Sequence, residues 1–376
     1  MSLLPISEFE RRMPQTIDLL KNLVELESPT NAKAHIDKLG RFIAGRAQGL
    51  NAKVTTYPQE TAGDHWAFSW GSGEREFLLL THMDTVYAIG TLDELPWREE
   101  RARIYGPGVL DMKFGIATAL SVVEAIQTEG ADSMRGVTLL CTSDEETGSE
   151  TSREIIESLA REHRLTLCLE PALSNGALKT WRKGIGAFEI ITKGISAHAG
   201  SDPNPGVNAI LEMAYQLIEL EKIADPKKGT SINIGVIEGG SRTNVVPESC
   251  SCRIDVRVKI SSEQQVVEQA LASHSPNLEG AKVSIDGYWN RPPMQRTPLM
   301  METFERAQAI VKEIGISLSQ GGTGGGSDAN FVAALDLPVL DGLGAIGEGA
   351  HSRTENIQIS SIAERAAILA AIIKAW

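Results

Sequence analysis

Apolar residues along this chain follow two spacings, and the points where one spacing gives way to the other mark its elements. Residues 7–26 and 31–48 carry apolar positions at helical spacing, the second stretch ending near Gly49. Continuous apolar runs follow at 77–81, 136–143 and 165–169, each reading as a strand of a parallel sheet whose two faces are both covered. A helix over 113–128 lies between the first two runs, and strand and helix signals alternate to about Thr180. That alternation predicts an α/β fold with a central mixed sheet flanked by helices. The order then changes. Residues 184–192 read as a strand, 205–223 as a helix, 231–237 and 249–260 as strands, 262–273 as a helix and 281–286 as a last strand. The order βαββαβ is that of a compact ferredoxin-like module. Helix returns at 298–314, and a terminal helix starts near Ser360. The expected organisation is therefore a domain made of residues 1–180 and 292–376, with residues 181–291 inserted as a second domain.

At 376 residues the chain exceeds what one hydrophobic core normally organises, which supports the division. A hydrophobic content of 42% and a charged content of 23% are those of an ordinary globular protein. The net charge of -13 argues against nucleic acid or an anionic membrane as partner, because both need basic surface. No stretch approaches the roughly 20 apolar residues of a membrane span. Residues 1–10 combine no basic start with a long apolar segment, so no signal peptide is expected. Cys141 and Cys168 fall inside presumed buried strands, and Cys250 and Cys252 share one face of another without a C-x-x-C spacing. None makes a zinc or disulfide pattern, and a reducing, cytoplasmic location is expected.

Chemistry-bearing residues gather at the ends of the apolar runs. His82 and Asp84 close the first, Asp144, Glu145 and Glu146 the second, and Glu170, followed by Pro171, the third. A glycine-rich bend, Tyr105-Gly106-Pro107-Gly108-Val109-Leu110-Asp111, carries a further acid into a helix, and the glycine-rich stretch 342–349 leads to His351. Each acid alone reads as a helix cap, a turn residue or a surface charge. Together they fall where open α/β sheets gather ligands, beyond the carboxyl ends of the strands. Histidine nitrogen with carboxylate oxygen and no cysteine suits zinc and tolerates cobalt or manganese. The segment 321–327 lacks the lysine of a phosphate loop and the spacing of a dinucleotide fingerprint, so nucleotide binding is rejected. Its glycines suit a backbone that passes close to a metal or substrate.

Taken in order, His82-Met83-Asp84, Gly106 to Asp111-Met112-Lys113, Asp144-Glu145-Glu146-Thr147-Gly148, Glu170, His198-Ala199-Gly200, Gly324 to Asp328 and His351-Ser352 resemble the two-zinc superfamily of glutamate carboxypeptidases, acetylornithine and succinyl-diaminopimelate deacylases, aminoacylases and di- and tripeptidases. The glutamate carboxypeptidase branch is the nearest in pattern, through Glu170 and the run Gly324-Gly325-Gly326-Ser327-Asp328-Ala329. The resemblance implies two zinc ions, with Asp111 bridging, His82 and Glu170 completing one metal, and Glu146 and His351 the other. It makes Glu145 the general base and Asp84 the residue that orients His82. It implies that the inserted module is a lid that also forms a homodimer, with His198 reaching the second subunit's active site. Asn244, Arg257 and Arg291 match substrate contacts, Gly326 and Ser327 on the glycine-rich segment are expected to bind substrate, and a cis Asp111–Met112 peptide is expected. Phe114 departs from the family, where glycine is common, and raises a question about pocket shape.

The activity these features imply is hydrolysis of an amide bond in a small peptide or N-acyl amino acid, next to a free carboxylate. Carboxypeptidase comes ahead of N-acyl-amino-acid deacylase. A single-metal hydrolase leaves too many acids without a role, and a non-catalytic binding protein on a decayed scaffold would have lost a ligand or the base. Arg253, Asp255 and Arg257 alternate with Ile254, Val256 and Val258, so the arginines are expected on the sheet face away from the module's helices.

Overall fold

The structure, a computed structural model, describes residues 3–71, 74–130 and 134–376. Residues 1 and 2, part of the segment read for a leader, lie outside these. The chain forms two compact units, Met1–Trp181 with Arg296–Thr323 and Ser327–Trp376, and Arg182–Gln295 with Gly324–Gly326.

Among the described residues, the larger unit carries an eight-stranded mixed sheet. Its centre is parallel: Val137–Thr142, Phe77–His82, Leu165–Cys168 and Val339–Asp341 lie side by side in that order. The first three are buried at every position, which explains their unbroken apolar sequence. His65–Trp70 and then Lys53–Tyr57 extend one side antiparallel, and Leu178–Arg182 and Gln320–Thr323 complete the other. Helices Ile6–Val24, Phe114–Gln127 and Ile362–Ala375 share a core with this sheet. The latter two are buried almost all round, as a helix without a polar face must be. The helix expected over 113–128 starts only at Phe114. Asp111 and Met112 before it have non-helical backbone angles, and their connecting peptide is cis.

Two features of this unit shape the edge where the parallel strands end. A small sheet pairs Gly347–Glu348, Asn356–Gln358, Arg103–Tyr105 and Arg98–Glu100 in that order. Its register sets Asn356 opposite both Tyr105 and Glu348, so the bend after Tyr105 and the turn around His351 meet. The second feature is Arg365, fully buried on the terminal helix. It donates to the carbonyl oxygens of Gly344 at 2.8 Å, Gly176 at 3.0 Å and Gly342. Gly344 in turn donates to the carbonyl of Glu170 at 2.8 Å. A Cβ on Gly344 would lie 2.3 Å from the Leu169 oxygen, so only glycine permits this approach.

The smaller unit is an antiparallel sheet in the order Ser231–Gly239, Ser249–Val258, Gly184–Lys193, Lys282–Arg291. With helices Ala209–Glu221 and Ser261–Ala272 it is the ferredoxin-like module expected from sequence. Cys250, Cys252, Ile254, Val256 and Val258 enter its core with Met213, Leu220 and Val267 from the helices. Arg253 and Arg257 therefore point to the opposite face. Two boundaries differ from expectation. The first helix begins at Ala209, not at 205, because Asn208 accepts from Leu211 N and caps it there. The last strand runs to Arg291, not to 286, because its pairing continues past the apolar residues that betray it in sequence.

No helix of the described residues is long and apolar enough to cross a membrane. Arg365→Met would leave the carbonyls of Gly176, Gly342 and Gly344 without their buried donor. The expected cost is about 3 kcal/mol of stability, measurable as a lowered urea midpoint.

Candidate metal centre

His82 closes one parallel strand, and Glu146 and Glu170 follow the ends of two others. His82 is the last residue of its strand, and its ring is buried. Its Nδ1 lies 3.0 Å from the Asp84 carbonyl oxygen and 3.4 Å from the Asp84 carboxylate, which fixes the ring and turns Nε2 toward the acids. Nε2 lies 3.2 Å from Asp111 Oδ1 and 3.6 Å from Glu170 Oε1. On the other side, His351 Nε2 lies 3.4 Å from Asp111 Oδ2 and 3.1 Å from Glu146 Oε2. The two oxygens of Asp111 thus face two different imidazoles. The structure brings His82, Asp111, Glu146, Glu170 and His351 together.

The surrounding carboxylates have different work. Asp84 accepts from Thr30 Oγ1 at 2.8 Å and from the backbone N–H groups of Glu145 and Glu146 at 3.2 and 3.1 Å. It therefore holds the turn that carries both glutamates. Asp144 is spent on Thr151 and Ser152. Glu355 accepts from Gly108 N at 2.8 Å, Leu110 N at 2.8 Å and Asp111 N at 2.9 Å, pinning the bend that presents Asp111. Sequence reading missed Glu355. Its only signal is an acid just beyond His351, and its partners depend on the small-sheet pairing.

The electrostatics favour positive charge in the middle of this group. Burial pushes the His82 imidazolium down, but Asp111, Asp84 and Glu170 outweigh it and hold the pKa well above the ordinary value. Asp111 and Glu146 raise His351 to about 10. Burial pushes Asp111 up, but the two histidines bring it below the usual carboxylate range. Glu146 Oε1 is buried with no hydrogen-bond partner, a costly arrangement for a carboxylate oxygen unless a cation meets it. Ligand atoms of His82, Asp111 and Glu146 lie within 4.8 Å of one another, a spacing able to hold a metal ion. The all-nitrogen-and-oxygen donor set fits zinc.

The remaining candidates have the following surroundings. Phe114 is fully buried in the core, so it does not line a pocket. Ser327 is buried, and its hydroxyl accepts from Ala329 N at the start of the helix Ala329–Ala334. In the smaller unit, Gly326 offers its carbonyl to Arg182 at 2.8 Å, and a Cβ there would meet Ile185 at 2.6 Å and Arg291 at 2.9 Å. Arg291 is buried and donates to Asn290 Oδ1 at 2.6 Å, whereas Arg257 donates to Asp255 at 2.7 Å. His198 is exposed, and its Nδ1 accepts from Gly200 N and Ser201 N at 3.1 and 3.0 Å. That places its proton on Nε2, which makes the outer nitrogen a donor. The exposed Asn244 accepts from Ala199 N at 3.0 Å through its carbonyl oxygen.

A parallel α/β sheet with histidine and carboxylate donors converging at its carboxyl edge defines a metal-dependent hydrolase. Residues 78–375 match the model of peptidase family M20/M25/M40, and the chain belongs to that family of metallopeptidases and amidohydrolases. It is 30% identical over 368 residues to carboxypeptidase G2 of Pseudomonas sp. (strain RS-16), covering 96% of this chain and 89% of that protein. It is 28% identical to succinyl-diaminopimelate desuccinylase of Dechloromonas aromatica (strain RCB), covering 96% and 98%. Among solved structures, aminopeptidase PepT of Bacillus cereus ATCC 10987 superposes with a TM-score of 0.77 at 21% identity, covering 96% of this chain and 98% of that one. The metallo-carboxypeptidase Sso-CP2 of Sulfolobus solfataricus gives 0.72 at 15% identity, with coverage of 96% and 98%. The solved structures support the fold.

Glu355→Gln sets an amide N–H₂ against backbone donors and should loosen the Asp111 bend. Metal affinity is expected to fall about 10- to 100-fold, read by competition with a chromophoric chelator.

Proposed function

We propose that this protein is a two-zinc, carboxypeptidase-like hydrolase that cleaves an amide bond next to a free carboxylate, the glutamate carboxypeptidase pattern being the best guide to its substrate. The observation that carries this reading is Asp111, whose two carboxylate oxygens face His82 and His351 separately, with Glu170 beside the first and Glu146 beside the second. His82 and Glu170 would hold one ion, Glu146 and His351 the other, with Asp111 shared. Two such ions would supply a water activated at neutral pH and polarisation of the scissile carbonyl. Glu145 shares a turn with Glu146 under the hold of Asp84 and is the general base of this reading. It takes the attacking water's proton and delivers it to the departing amine.

The remaining roles fall mostly to the inserted module, taken as residues 181–291 within a catalytic domain of 1–180 and 292–376. Arg291, Arg257 and Asn244 would read the substrate's carboxylate, for which the guanidinium fork is suited. Gly326 and Ser327 would shape the backbone near substrate. His198, with its proton on Nε2, is suited to donate to the oxyanion of the tetrahedral intermediate from a second copy of the chain. Dimerisation through this module has support in its surface. The helix Ala209–Glu221 exposes Ile210, Leu211, Tyr215 and Ile218, and the edge strand Ser231–Gly239 exposes Ile234, Val236 and Ile237. An apolar edge strand of this kind is a template for pairing. The four cysteines are buried and none is in a disulfide, which suits a reducing compartment. An N-acyl-amino-acid deacylase would use the same machinery, and the desuccinylase relative favours it as the second reading. A panel of dipeptides, acyl-amino acids and folate-like glutamate conjugates, assayed with zinc, separates the two.

Glu145→Gln is expected to retain two zinc equivalents by elemental analysis while kcat falls about 10²- to 10⁴-fold. Near-normal turnover, or no more than one equivalent of metal, would sink the model. Mixing Glu145→Gln with His198→Ala subunits should restore part of the activity in heterodimers if His198 acts across the dimer. Arg291→Ala is expected to raise KM for free acids far more than for the corresponding amides; equal losses on both would remove the carboxylate-reading role.

A further inference from the structure

His65, a residue so far without a role, lies against the segment that carries Glu145 and Glu146. It opens the strand His65–Trp70, which runs antiparallel beside Val137–Thr142, and its ring is fully buried against Ser143. The backbone N–H of Ser143 donates to His65 Nδ1 at 3.2 Å, and Nε2 lies 3.0 Å from Thr151 Oγ1. A backbone N–H can only donate, so Nδ1 is bare and a neutral ring keeps its one hydrogen on Nε2. Nε2 then donates to Thr151 Oγ1, which donates in turn to Asp144 Oδ2 at 2.8 Å. The Ser143 hydroxyl, 3.0 Å from Nδ1, gives its hydrogen to the Gly63 carbonyl. Burial, together with the charge of Lys33, lowers the imidazole's pKa against the pull of Asp144, Asp84 and Asp64, and favours the neutral ring.

We propose that His65 is a positioning residue for Glu145 and Glu146, clamping the two ends of their turn as the neutral Nε2–H tautomer. The proposal rests on the two-zinc hydrolase reading above, in which one of these acids holds a metal and the other is the base. Ser143 stands just before the turn and Thr151 just after it, so the ring bridges entry and exit. Both ring nitrogens are spent on this segment and neither on the strand that carries the ring. Asp84 holds the middle of the same turn through the N–H groups of Glu145 and Glu146. The two anchors are complementary, because Asp84 fixes the tip and His65 the ends. His163 supplies the contrast. It too is buried, with Nδ1 2.6 Å from Leu159 O and Nε2 3.0 Å from Thr138 Oγ1, but it bonds no residue of the turn.

The test compares His65→Leu, His65→Asn and His163→Leu, with zinc affinity read by chelator competition and turnover read on N-benzoyl-glutamate. The leucine substitution at 65 removes both ring nitrogens and is expected to lower zinc affinity about 10- to 100-fold, with kcat reduced and KM little changed. Asparagine carries Oδ1 on Cγ, where histidine carries Nδ1, so His65→Asn keeps an acceptor for Ser143 N and should recover most of both losses. His163→Leu should lower the urea midpoint while zinc affinity and kcat stay near wild type. Unchanged zinc affinity in His65→Leu, no recovery in His65→Asn, or an equal loss of affinity in His163→Leu would overturn the proposal. Nitrogen-15 spectra of the wild-type ring give a measurement that needs no variant to fold: Nε2 should be protonated and Nδ1 bare, and a proton on Nδ1 overturns the clamp. Wild-type protein that binds zinc but hydrolyses neither this compound nor any member of the panel sinks the hydrolase reading alone, since the chelator and ring measurements still judge His65.

Discussion

Like charge packed into a small space is the constraint around which the larger unit is built. Asp111, Glu146 and Glu170 converge on two imidazoles, and Asp84 stands immediately behind one of them. Taking even one carboxylate out of water is expensive unless it is paired. Several together cannot stay ionised without compensation, and the raised pKa values of His82 and His351 show where positive charge is wanted. Protons on the histidines are one answer, metal cations another. The buried, unpartnered Oε1 of Glu146 favours the second, because protonating His351 still leaves that oxygen without a partner.

The acids of this region sort by what they accept. Asp84, Asp144 and Glu355 are engaged by backbone N–H groups and hydroxyls, so their charge is used to fix loops. Asp111 and Glu146 instead face ring nitrogens across the gap. The division makes mechanical sense. A bend such as 106–111 has no sheet ladder to satisfy its N–H groups, and Glu355 supplies that ladder from the neighbouring turn. Arg365 does the complementary task, donating to carbonyls of the 342–344 loop that in turn contacts the Glu170 backbone. The positions of the candidate ligands are thereby set by buried groups behind the His–carboxylate cluster.

How far the sequence exposed all this follows from the physics of each element. Parallel central strands must be apolar on both faces, so 77–81, 136–143 and 165–169 stood out, and with them the residues at their ends. Alternation did the same for the strand Ser249–Val258, whose buried face is regular from Cys250 to Val258. Lys53–Tyr57 is an edge strand, mostly exposed, and has no apolar pattern to read. The two- and three-residue strands of the small sheet are too short to show a period. Glu355 was invisible for that reason, since its partners are chosen by the register of Asn356 against Tyr105. Gly287 and Asn290 interrupt the apolar pattern of Lys282–Arg291, so that strand looked shorter in sequence than it is.

On the proposed reading, recognition and chemistry are divided between the two units, and the division suits a family that includes peptidases and deacylases. Bond breaking needs the ligands and Glu145, all carried by one sheet edge and its supporting bends. Reading the carboxylate falls to arginines on an independent antiparallel sheet. A substitution at Arg291 can therefore change the substrate without disturbing the pairings that hold Asp111. The converse does not hold. A change at Glu355 or Asp84 alters the ligand geometry for every substrate alike, so specificity is free to vary only in positions that the metal site does not lean on.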